Sequence, residues 1–144
     1  DHVVALDPPP DEAWLARATV LAWGAPELDF SARIHERDYT VREPLTALYR
    51  SLRGAGAAQG EHLAALLRGD GTPRSPRQAG RLLRVLAELG LVAVDPVGGR
   101  VEVLPADRTE LERSPAYRAL ERRRREGLAW LSGRTAAAPA ARAA

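Results

Sequence analysis

A chain of 144 residues, 45% of them hydrophobic, is long enough to bury a core as one domain or as two small ones. It has no cysteine, which excludes disulfides and cysteine metal sites and fits a reducing cytoplasm. The net charge of +2 hides an asymmetry: residues 1–40 hold three arginines against eight carboxylates, a net of −5, whereas residues 41–144 hold eighteen against eleven, a net of +7. A basic partner surface is therefore expected after residue 40. All 21 basic residues are arginine, a bias that fits a GC-rich genome. No apolar run approaches membrane-spanning length and no signal peptide is visible, so a cytoplasmic protein without a membrane partner is expected. The abrupt start at Asp1, in a strand-like run, reads as a piece of a longer protein.

The apolar run His2 to Leu6 reads as a buried strand, and the prolines at 8–10 as a rigid entry into a helix from Asp11 to Ala18, packed through Trp14, Leu15 and Ala18. Val20 to Trp23 then makes a second strand, parallel to the first, ended by Gly24. A helix from Pro26 to Arg37 follows, with Phe30 and Ile34 one turn apart and Arg33 and Arg37 towards solvent. Residues 38–44 mark a boundary.

Beyond it, Leu45, Leu48, Tyr49 and Leu52 recur at i, i+3, i+4 and i+7, a core stripe on a helix that Gly54-Ala-Gly56 ends. A shorter helix from Gly60 to Arg68 packs through Leu63, Leu66 and Leu67, and residues 69–73 turn into the most strongly patterned stretch. Ser75 is a good N-cap and Pro76 fits the first helical position. Ala79, Leu82, Leu83, Leu86 and Leu89 form one face of this helix, and Arg77, Arg81 and Arg84 fall on another. Gly90 is placed to close it in a left-handed conformation, and Val92/Val94 with Val101/Val103 alternate like paired strands around residues 96–99.

Three helices and a hairpin in that order predict a winged-helix-like module over residues 41–106. Residues 107–132 form a charged C-terminal docking helix, starting at Ser114-Pro115 and packing through Tyr117, Leu120, Leu128 and Leu131. An alanine-rich tail spans 133–144. The fold class expected is mixed α/β: a small strand–helix–strand unit over 1–40, the winged-helix-like module and the terminal helix, packed as one compact domain.

Catalytic chemistry has little to stand on. His2, His35 and His62 lie on three separate elements without metal-ligand spacing. Gly98-Gly99 belongs to a hairpin turn, and Gly54 and Gly56 end a helix where a phosphate cradle would open one. No catalytic, metal or cofactor site is expected in the chain. The face bearing Arg77, Arg81 and Arg84 is either a solvated helix face or a surface that meets phosphates or carboxylates bidentately. The run Arg122 to Arg125 points around its helix, flanked by Glu121 and Glu126, and reads as solvated. Trp14, Trp23 and Trp130 read as packing residues.

Taken together, VVALDPPPDEAWL, VLAWG, VREPLTALYRSLRGAG, RLLRVLAELGLVAVD and ADRTELERSPAYRALERRR resemble, in order and spacing over nearly the whole chain, the C-terminal region of bacterial RecJ, a family of single-stranded-DNA-specific exonucleases. The resemblance implies an accessory domain beyond a 5′→3′ exonuclease core whose Asp and His motifs hold Mn or Mg. None of those motifs lies in this chain, and Asp1-His2 lacks the second histidine. It further implies docking of the acidic C-terminal tail of the single-stranded-DNA-binding protein, SSB, in DNA repair and recombination. An acidic peptide ending in an apolar residue needs an apolar notch rimmed by arginines. Charge and spacing nominate Arg77, Arg81 and Arg84 for that rim, with Arg50, Arg53, Arg118 and Arg122 as alternates. Direct binding of single-stranded DNA by the winged helix, and a structural brace for the parent's catalytic core, stand as the other readings.

Overall fold

The computed structural model of the chain describes residues 4–5, 7–9, 11–15, 20–70, 73–107 and 109–137. It is mixed α/β, and its contacts divide it into two compact units, residues 1–39 with 121–144 and residues 40–120.

In the first unit, β1 (Val4–Ala5) pairs in parallel with β2 (Val20–Leu21), Val4 opposite Val20. Between them the helix expected over Asp11 to Ala18 is, in its described part, a single 3-10 turn over Glu12–Leu15, and residues 16–19 lie outside the described residues. Asp11 accepts from the Ala13 N–H at 3.1 Å, an N-cap bond that opens this turn. The helix α1 (Ala25–Tyr39) begins where Glu27 Oε2 accepts from the Gly24 N–H at 2.8 Å, the reciprocal half of a capping box. That bond holds the Glu27 carboxyl below its ordinary pKa. It buries Leu28 and His35, seven residues apart on one stripe. Phe30 stands 56% exposed, because it lies roughly 200° round the helix from Leu28.

The helix α5 (Pro115–Ala137) contributes its second half to this unit. His35 Nε2 donates to the Arg123 carbonyl at 3.0 Å, and the imidazole lies so close to Gly127 that any Cβ there would overlap the ring. The run Arg122 to Arg125 separates as expected for consecutive helical residues. Arg123 reaches Asp11 at 2.7 Å and Arg124 reaches Glu36 at 3.0 Å. Tyr39, then Asp11, hold the Arg123 guanidinium in its charged form.

The second unit holds α2 (Arg42–Ala55), β3 (Ala57–Gln59), α3 (Gly60–Arg68), α4 (Pro76–Glu88), β4 (Val92–Asp95), β5 (Arg100–Val103) and the first turns of α5. Ser75 caps α4 by accepting from the Gln78 N–H at 3.2 Å, and Pro76 opens the first turn. At the other end Gly90, with φ of 68°, lets the Leu91 N–H reach back to the Leu86 carbonyl at 2.9 Å. The chain runs directly into the β4–β5 hairpin, paired Val92 to Val103 and Val94 to Val101. Asp95 Oδ1 accepts the N–H groups of Val97 and Gly98 and so shapes the turn.

A strand absent from the sequence reading, β3, pairs antiparallel with β5 and completes a three-stranded sheet of order β3-β5-β4. Leu45, Leu48 and Leu52 of α2, Leu63 of α3, and Leu82, Val85 and Leu86 of α4 form one core with Val92, Val101 and Tyr117. Each fully buried leucine contributes about 1.5–3 kcal/mol. Leu83 and Leu89, expected in that core, are only half-buried at its margin.

Candidate functional site

The site grows from the junction of α4 and α5. Glu88 is the last residue of α4, and its Oε2 accepts from the Ser114 hydroxyl at 2.6 Å and from the Ala116 N–H at 2.8 Å. Ser114, fully buried, in turn accepts from the Tyr117 N–H at 3.0 Å. A carboxylate and a hydroxyl thus satisfy amides in the first turn of α5, where the helix dipole favours negative charge. The Ser114 hydroxyl above all, then the Ala116 amide and Arg84, hold the Glu88 carboxyl below its ordinary pKa.

This junction opens a cleft of about 410 Å³. Pro115, Ala116, Ala119 and Leu120 of α5 supply its apolar wall, and Arg81 and Arg84 of α4 its charged one. Arg84 donates through Nε to Glu88 Oε1 at 3.0 Å, so the residue that pins α5 also steers one rim guanidinium. No carboxylate is among the residues lining the cleft. An apolar wall opposite two guanidinium groups suits a ligand that is apolar on one side and anionic on the other.

Of the seven arginines nominated from sequence, Arg81 and Arg84 meet at this cleft. Arg77 is exposed on the same face of α4, one turn towards the N-terminus and outside the cleft lining. Arg50 is exposed on α2. Arg53 lines a different cleft, of about 660 Å³, with Tyr49 and residues 103–107. Arg118 donates to the Glu112 carbonyl, and Arg122 pairs with Glu126 at 3.9 Å. The residues missed from sequence are Glu88 and the 115–120 wall. Ser114-Pro115 was visible as a helix start, yet nothing local says which carboxylate joins it.

Among the described residues no group of histidine and carboxylate side chains could hold a metal ion, and no helix is long and apolar enough to cross a membrane. His35 is buried, His62 is exposed on α3, and His2 lies outside the described residues. Trp23 and Trp130 are half-buried, the Arg134 guanidinium lying 4.3 Å from the Trp130 ring centre, and the Trp14 side chain is outside the description. No protein-family model, curated protein or solved structure matches the chain.

Proposed function

We propose that the chain is the non-catalytic C-terminal accessory domain of a RecJ-like 5′→3′ single-stranded-DNA exonuclease, and that it recruits the enzyme to SSB in DNA repair and recombination. In this reading the α4–α5 cleft receives the acidic C-terminal tail of SSB. Its apolar end rests on Ala116, Ala119 and Leu120, and its carboxylates face Arg81 and Arg84. The observation that carries the reading is this cleft, with an apolar wall, two arginines on its rim and no lining carboxylate. Metal-dependent hydrolysis, with Mn or Mg, belongs to the parent's catalytic core. The element order helix, strand, helix, helix, strand, strand, with the first strand beside the last, supports reading residues 41–106 as a winged helix. In it α4 takes the place of the recognition helix and the β4–β5 hairpin that of the wing.

The test is a titration of the 144-residue chain with a synthetic SSB-tail peptide. Arg81→Glu with Arg84→Glu is expected to weaken binding about tenfold or more, and so is removal of the peptide's terminal apolar residue. Unchanged affinity in either arm overturns the proposal.

A second reading rests on Arg77, Arg81 and Arg84 spaced as a ridge along α4, which suits phosphates of single-stranded DNA. It predicts DNA binding by the chain without SSB.

A further inference from the structure

The other flank of α4 carries a second trough, of about 490 Å³, between α3 and α4. Ala64 and Leu67 of α3 line one side, and Ala79, Gly80 and Leu83 of α4 line the other. Arg68 ends α3 and Arg74 stands just before α4, so both guanidinium-bearing residues belong to the same end of the trough. Arg74 is preset: its Nε and Nη2 donate to the Leu67 and Leu66 carbonyls at 2.9 and 2.7 Å, which holds the cation over the last turn of α3. The lining contains no carboxylate, and the first turn of α4 has none to neutralise Arg77. An apolar trough with two arginines at one end is complementary to an apolar side chain next to a negative charge.

Gly80 sharpens the argument. It lies exposed in the interior of α4, where glycine is a poor helix former, and a Cβ built on it would meet nothing within 4 Å. Neither its backbone angle nor its packing requires glycine. Its effect is to leave the trough floor open beside Leu83. Arg81 and Arg84 line the α4–α5 cleft and Gly80 and Leu83 line this trough, so one helix serves two separate surfaces.

We infer that the α3–α4 trough docks an internal acidic segment of a partner protein, an aliphatic or aromatic side chain seated over Gly80 and Leu83 with a neighbouring carboxylate on Arg68 and Arg74. The inference is independent of the SSB reading, because no free carboxy terminus is needed.

The probe is a fluorescein-labelled peptide of glutamates around a leucine pair, blocked at both ends, into which the full chain is titrated and followed by fluorescence anisotropy. Gly80→Leu, which fills the floor, is expected to weaken binding about tenfold while the thermal midpoint holds or rises. Arg68→Glu, an exposed change, is expected to weaken it similarly. Ala119→Trp, which fills the α4–α5 cleft, should leave this peptide unaffected and abolish binding of the SSB tail, so the two proposals fail separately. The inference is overturned if the blocked peptide does not bind. It is equally overturned if Gly80→Leu and Arg68→Glu bind like the parent, or if Ala119→Trp removes binding.

Discussion

Glu88 joins three roles in one side chain: it closes α4, caps α5 through Ser114 and Ala116, and holds Arg84. Because these donors stabilise the ionised carboxylate, its folded pKa lies below the unfolded one. The stabilisation is therefore complete above about pH 4.3, the unfolded value, and is lost as pH falls through the lower folded value. Glu88→Gln is expected to melt below the parent at pH 7, with the gap closing on acidification below about pH 4. Thermal melts of both proteins from pH 7 to pH 3 would check it, and a gap that stays constant would refute the assignment. At this scale the sequence is least informative. The Glu88–Ser114 bond spans 26 positions, and a carboxylate ending an amphipathic helix otherwise reads as solvated. Gly127 is similar, since only the His35 ring packed on it explains the missing side chain.

At the scale of elements, the stretch from Ser75 to Val103 was readable because its signals are local. The Ser75 cap, Pro76, the 3.6-residue spacing of apolar residues and the valine alternation each fix structure within a few positions. Gly90 carries the change from helix to strand at a φ of 68°, where a Cβ is unfavourable. Gly90→Ala is expected to lower stability by about 1–2 kcal/mol, measured by urea denaturation. The strand β3 was unreadable for the opposite reason. Ala57, Ala58 and Gln59 have no β-branched or aromatic residue, and only their pairing with Glu102, Val101 and Arg100 of β5 makes them a strand. The buried stripe of α1 was unreadable because one of its two residues, His35, is polar and is buried by Gly127 and the Arg123 carbonyl, more than eighty positions away.

For the whole molecule, charge is distributed differently from its order along the chain. Residues 40–120 hold twelve arginines against nine carboxylates, a net of +3, while residues 1–39 with 121–144 hold nine against ten, a net of −1. Much of the +7 after residue 40 is thus matched within the first unit, where Arg123 and Arg124 meet Asp11 and Glu36. Raising salt from about 50 to 500 mM is expected to weaken SSB-tail binding by less than about tenfold, because the apolar contacts persist. Binding governed by several phosphates would fall by about a thousandfold or more over that range. Anisotropy titrations of tail peptide and oligonucleotide across salt would separate them.

The sheet of the second unit has a consequence for behaviour at high concentration. Its outer strands, β3 and β4, have three and four residues, and β3 runs straight into helices at both ends. So short a row of backbone amides and carbonyls gives a second chain little to extend, and edge-to-edge growth into fibrils is disfavoured.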